Sequence, residues 1–176
     1  GTVRGAETTD AQALVYLVPL TSDSLGVDAD TVLVDQVGLS FEPGVIVGRP
    51  GLTVEFRNSD PMLHNVFGFL RGGPGFDLGT YPRLQSRSHT FAEPGAHVIL
   101  CHMHPEMLAW VIVVPSAYHG VVGSDGGFRI ESVLPGSYSV RVWHSRGVVD
   151  PIPIQITAGT TIRLDLSRKR AARSGA

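Results

Sequence analysis

The chain has 176 residues, 43% of them apolar and 17% charged, with a formal net charge of −2; this is the composition of a globular protein with one good core or two small ones, not of a disordered chain. With so little net charge and no long basic face, nothing points to nucleic acid, a membrane surface or a strongly charged substrate. The single cysteine, Cys101, excludes an internal disulfide framework, and the longest apolar runs, from Ala11 to Leu20 and from Ala109 to Pro115, fall short of the roughly 20 residues a spanning helix needs.

Short segments rich in Val, Ile, Leu and Phe alternate with Gly and Pro, which is the pattern of many strands joined by turns. In chain order the predicted strands are Ala13 to Val18, Thr31 to Leu39, Leu52 to Arg57, Leu63 to Phe67, Ser88 to Phe91, His97 to Cys101 and Ala109 to Val114. Four more follow at Phe128 to Glu131, Tyr138 to His144, Ile152 to Ile156 and Thr161 to Leu166. In the last of these Ile162, Leu164 and Leu166 alternate with Arg163 and Asp165, so one face is set to pack on a core. Pro50-Gly51, Pro74-Gly75, Pro94-Gly95 and Pro135-Gly136 interrupt the windows long enough for a helix, leaving room for one short helix at most. The tail, residues 168–176, carries Arg168, Lys169, Arg170 and Arg173 without an apolar period and reads as a solvated, disordered end.

The last third, from Ser116 to Leu166, is short for a sandwich standing alone without disulfides or a metal. Ser124-Asp-Gly-Gly-Phe-Arg-Ile130 and Val133-Leu-Pro-Gly-Ser-Tyr-Ser-Val140 resemble the second half of a carboxypeptidase-regulatory-like or transthyretin-like β-sandwich. Gly1-Thr-Val3 with Ala13-Leu-Val-Tyr-Leu17 resembles its first half. The resemblance implies a discontinuous domain of residues 1–26 and 116–167, with a second domain, residues 27–115, inserted between its parts.

The chemistry concentrates in Cys101-His-Met-His-Pro-Glu-Met107, where a thiolate, imidazoles and a thioether share seven residues of a loop between two predicted strands. Thiolate and thioether suit Cu(I), and imidazole suits both oxidation states of copper. Zinc seldom takes methionine, and calcium and magnesium want oxygen ligands. One more imidazole is needed from an earlier strand, and His64, in Asn58-Ser-Asp-Pro-Met-Leu-His64-Asn65-Val66, stands at the entrance of one. A lone Cys, Met or His is ordinarily a core or hydrogen-bonded residue; the combination on turns between strands is what points to a metal.

The spacing Cys-x-x-His-x-x-Met, with Pro105 after His104, resembles the ligand loop of amicyanin and related plastocyanin-like cupredoxins. Phe91-Ala-Glu-Pro-Gly95 resembles the strand that delivers the copper cysteine, Gly51-Leu-Thr-Val-Glu-Phe-Arg-Asn58 the strand before the first ligand, and Phe76-Asp-Leu-Gly-Thr-Tyr81 a segment of methylamine-utilisation-like copper proteins. The resemblance covers roughly residues 30–115. It implies an all-β chain: a cupredoxin Greek-key β-sandwich plus a second small transthyretin-like β-sandwich. It further implies one mononuclear copper held by His64, Cys101, His104 and the weak axial Met107, with Asn65 tying the ligand loops together.

His102 and Met103 depart from the small residues or Pro usual between Cys and His. Either they point away from the metal, or His102 replaces His104 or recruits a second ion; the spacing favours His104. His97 shares strand parity with Cys101 and reads as interior, while Trp110, Tyr16 and Trp143 read as packing residues and His144 as structural. The function expected is electron transfer by a blue-copper protein, as a carrier or a subunit of a redox assembly. Its partner would be a redox protein such as a c-type cytochrome or a membrane redox complex. The expected setting is periplasmic or secreted, with an anchor possible in a segment ahead of Gly1. Met62, Leu63 and Pro105 are expected to form an apolar docking patch around His104. Copper trafficking is the alternative, motivated by the surplus of Met62, His102 and Met103. A copper enzyme of the nitrite-reductase or oxidase kind needs a further cluster of histidines, and the remaining histidines are scattered, so no enzymatic activity is expected.

Overall fold

The computed structural model describes residues 2–4, 13–20, 30–70, 72–144, 147–148, 151–157 and 163–165. Among these residues there is no helix: the Gly and Pro punctuation leaves only strand-length segments, and sixteen strands form. The first two are β1 (Thr2–Arg4) and β2 (Ala13–Pro19). Then come β3 (Thr31–Gln36), β4 (Phe41–Glu42), β5 (Val45–Gly48), β6 (Leu52–Asn58), β7 (His64–Leu70), β8 (Gly75–Tyr81), β9 (Ser86–Phe91), β10 (Gly95–Leu100) and β11 (Leu108–Val113). The last five are β12 (His119–Val121), β13 (Gly136–His144), β14 (Gly147–Val148), β15 (Ile152–Ile156) and β16 (Arg163–Asp165).

The chain divides into two units, Gly26–Pro115 and a discontinuous one of Gly1–Leu25 with Ser116–Ala176. In the first, two sheets run in the orders β5-β11-β10-β7-β8 and β4-β3-β6-β9. Strands consecutive in sequence repeatedly change sheet, and β3 with β6 and β5 with β11 pair in parallel, so the connections cross from one layer to the other. The alternation along β6 places Leu52, Val54, Phe56 and Asn58 inward, and that along β10 does the same for His97 and Ile99. These meet Val34, Phe41, Ile46, Val66, Tyr81, Phe91, Ala109 and Val111 in one apolar core that also contains Cys101 and Met107. Full burial of each large apolar side chain there contributes about 1.5–3 kcal/mol.

The discontinuous unit has a sheet in the order β12-β2-β13-β14, with β15 also paired to β13, and a parallel pair of β1 with β16. Its core joins Val15, Leu17, Phe128, Tyr138, Val140 and Val142.

The strands depart from the sequence pattern in particular places. Thr31 to Leu39 ends as a strand at Gln36, because Gly38 and Leu39 take positive φ (62° and 61°) in a tight turn to β4. Phe128 to Glu131 is not a strand, although Phe128 and Ile130 pack into the second core. The alternation there reports packing without a ladder. The tail, residues 168–176, and Ile162 and Leu166 of the last predicted strand lie outside the described residues.

Candidate metal centre

Two neighbouring strands and one loop bring the donors together. β7 and β10 pair antiparallel, so His64 at the start of β7 lies near the end of β10, where Cys101 follows Leu100. The loop then turns back into β11, its first turn closed by the Met107 N–H donating to the His104 carbonyl at 3.0 Å. A register shift between Asn65 and Phe67 in the β7–β8 pair marks a bulge, and His64, Asn65 and Val66 are buried in succession where regular pleating would expose the middle one.

His64, Cys101 and His104 offer ligand atoms that all lie within 4.8 Å of one another. The Cys101 Sγ is 3.9 Å from His64 Nδ1 and 3.7 Å from His104 Nδ1, and the two Nδ1 atoms are 3.0 Å apart. A triangle with those sides has its common centre about 2.1 Å from each corner, within the about 2.0–2.3 Å that imidazole nitrogen and thiolate sulfur keep from a bound transition ion. The three residues therefore fit a single ion. His64 is completely shielded from solvent and Cys101 nearly so, whereas His104 is half-buried. Met107 is also completely buried, in the same apolar cluster as Cys101. Two imidazoles, one thiolate and a thioether side chain close by in sequence make a donor set that suits copper, with no hard oxygen donor among the three clustered residues.

The residues flanking the donors are spent elsewhere. His102 points away from the cluster: its ring stacks on Phe67 at 3.8 Å, and its Nε2 lies 3.5 Å from Asp77 Oδ2. Met103 is exposed, as are Met62 and Leu63. Asn65 bridges the two ligand segments, accepting the His102 backbone N–H at 3.4 Å through Oδ1 and donating through Nδ2 to Asp77 Oδ1 at 2.7 Å. The Gly79 N–H and the Asn65 amide outweigh burial and hold the Asp77 carboxyl below its ordinary pKa. His97 is interior, with Nε2 2.9 Å from the Glu93 carbonyl and its ring edge-on to Phe91. His89 stacks on Phe76 at 3.8 Å.

One residue of the site is missed by the sequence pattern. Asp60 Oδ2 lies 2.9 Å from His64 Nε2, on the side of the ring away from the cluster. Burial pushes the Asp60 carboxyl up, but the N–H groups of Leu39 and Gly38 and the His64 ring outweigh it and hold the pKa below the usual carboxylate value. Its only sequence signal is a carboxylate four residues before a candidate ligand, in a Ser-Asp-Pro turn that reads equally well as a plain turn.

Residues 116–164 match the family described as polysaccharide lyase family 4, domain II. Among solved structures, the copper-containing nitrite reductase of Thermus scotoductus SA-01 is similar over 55% of this chain and 25% of its own, at 27% identity and a TM-score of 0.46. This chain thus spans a quarter of that enzyme's length. A reduced single-residue variant of amicyanin is similar over 56% of this chain and 99% of its own, at 24% identity and a TM-score of 0.45, and a Cu(I) form of another amicyanin variant has the same figures. Curated protein sequences give no match. By its two crossed sheets around one core and its cluster of buried His64 and Cys101 with half-buried His104, the Gly26–Pro115 unit is a β-sandwich whose donors suit one copper ion, and a second β-sheet unit accompanies it in the chain.

Proposed function

We propose that this chain is a blue-copper electron-transfer protein in which His64, Cys101 and His104 would hold one mononuclear copper, with the Met107 thioether as a weak further donor. The observation that carries the reading is the convergence of two Nδ1 atoms and one thiol sulfur within 4.8 Å at the end of an apolar core. Bound there, copper supplies a one-electron couple between Cu(II) and Cu(I). The chain's part is to hold the donors in one arrangement that serves both oxidation states, so that little moves when the electron does. Val66, Ile99, Ala109 and Tyr81, all fully buried in the surrounding core, keep water from the thiolate side. His104 is the donor with partial exposure, which suits it to pass the electron to a partner.

The exposed Met62 and Leu63, next to His64 in sequence, with Pro105 next to His104, suit an apolar docking surface for a redox protein such as a c-type cytochrome or a membrane redox complex. Such carriers work outside the cytoplasm, in the periplasm or after secretion. Among the described residues no helix is long and apolar enough to cross a membrane. The other imidazoles of this unit support a carrier over an enzyme, because His89, His97 and His102 are committed to stacking or backbone contacts.

A second reading, copper trafficking, is favoured by the exposed thioethers of Met62 and Met103. The test is to load the protein with copper, cycle it between ascorbate and a mild oxidant, and challenge the reduced form with a Cu(I) chelator. A carrier is expected to bleach and recover repeatedly with its copper retained. Rapid loss of Cu(I) to the chelator would contradict the carrier and support trafficking.

A further inference from the structure

Of the two nitrogens of the His64 ring, only one faces the donor cluster. Nδ1 lies 3.0 Å from His104 Nδ1 and 3.9 Å from Cys101 Sγ, whereas Nε2 meets Asp60 Oδ2 at 2.9 Å. The imidazole is shielded from solvent and the carboxylate almost so. A carboxylate can only accept, so the ring proton sits on Nε2 and the Nδ1 lone pair is left for a metal.

Asp60 is itself fixed from several sides. Its Oδ1 accepts the Gly38 N–H at 2.7 Å and its Oδ2 the Leu39 N–H at 3.1 Å. Its own N–H donates to Asn58 Oδ1 at 3.0 Å and is 3.2 Å from the Gln36 carbonyl. Gly38 and Leu39 are the two positive-φ residues of the turn between β3 and β4, whose ends are tied by paired Val37 and Ser40 backbone bonds. The carboxylate cannot swing off His64 without also releasing that turn.

We infer that Asp60 is the positioning residue of the metal centre: it fixes His64 as the Nδ1 donor and, as an anion on the far nitrogen, strengthens that donor so that Cu(II) is favoured over Cu(I). The inference rests on the copper reading above. A more basic imidazole with a negative charge one ring away stabilises the higher charge on the metal more than the lower one. Asp60 therefore sets the reduction potential, beyond holding the fold.

The experiment uses the full chain as wild type, Asp60→Asn and Asp60→Ala. Cu(II) and Cu(I) affinities are measured by chelator competition, the potential by redox titration, and the His64 Nε2–H by proton–nitrogen NMR of the Cu(I) form. In Asp60→Ala the Cu(II) affinity is expected to fall about tenfold or more, the range of such outer partners, with a smaller change for Cu(I). Each tenfold difference between the two raises the potential by about 59 mV. Asp60→Asn keeps an acceptor without the charge and is expected to fall between, so it carries the test if the Ala variant does not fold. The protected Nε2–H signal is expected in the wild type and lost in Asp60→Ala. A purely structural role would lower both affinities together and leave the potential in place, and that result overturns the inference while the wild type keeps its thiolate-to-copper band. A wild type without that band overturns the copper reading, and the inference with it.

Discussion

At the scale of single residues, the donors divide into groups whose loss has different consequences. Cys101→Ser removes the only thiolate, so the copper-loaded protein is expected to lose its intense visible band, read by absorption spectroscopy. Met107→Leu conserves volume in a fully buried position and is expected to cost under about 1.5 kcal/mol of stability, while copper is retained and the potential moves upward. His89 offers a test independent of the metal. Burial, and secondarily His97, hold its imidazole below the ordinary value, and burial does the same at His119 against the opposing hydrogen bond that its ring donates to the Ala117 backbone. With a folded value below the unfolded one, the unfolded chain takes up the proton first. This contribution to stability is therefore complete above about pH 6.5 and is lost as the pH falls from there through the folded value. Urea denaturation of the metal-free protein is expected to give a lower midpoint at pH 5.5 than at pH 7.5, and His89→Phe to shrink the difference. Cys101 and His104 are legible as candidate donors because a thiol, imidazoles and a thioether rarely crowd one loop by chance, and His64 is legible as the imidazole at the entrance of an earlier strand. Asp60 is not legible: its partner is a ring nitrogen four residues on, and only the fold decides which way that ring faces.

At the scale of elements, the site depends on how closely β7 approaches β10. Gly68 of β7 pairs with Ile99 of β10, and a Cβ on it would stand 2.6 Å from the Val98 carbonyl and 2.8 Å from Phe76 Cε1. Gly68→Ala is therefore expected to cost about 1–3 kcal/mol by overpacking, read as a lower urea midpoint with unchanged slope. Since the two strands carry His64 and lead into Cys101, the copper spectrum should broaden with it. Most strands are legible from alternation, and Ile152–Ile156 has the same bounds in sequence and structure. The strands that alternation misses are Thr2–Arg4, Phe41–Glu42, Val45–Gly48, Gly75–Tyr81, His119–Val121 and Gly147–Val148. All but Gly75–Tyr81 are too short to show a period. Gly75–Tyr81 has two glycines and a half-exposed face, which blurs the signal. The overlong strand at Thr31 to Leu39 shows the converse: Val37 and Leu39 keep the apolar alternation going, but the positive φ at Gly38 and Leu39 ends the strand.

At the scale of the whole molecule, each unit has its own apolar core, one containing Cys101 and Met107 and the other Tyr138 and Val140. Ligand binding stabilises what contains the site, by about 2.7 kcal/mol when free ligand is one hundred times Kd. Hydrogen exchange with and without Cu(I) is expected to gain protection in β7, β10 and β11 and to stay unchanged in β2 and β13. The all-β class is legible from Gly and Pro spacing alone, because it forbids helices over nearly the whole chain. The order of strands within each sheet is not, since parallel pairs such as β3 with β6 join segments far apart in sequence. The most direct test of the copper centre is the visible and electron paramagnetic resonance spectrum of the protein loaded with Cu(II), before and after ascorbate. An intense thiolate-to-copper band with narrow hyperfine splitting, bleached by ascorbate and restored by oxidant, is expected from His64, Cys101 and His104 acting on one ion. A protein that takes up no copper, or binds it without the thiolate band, would contradict that centre.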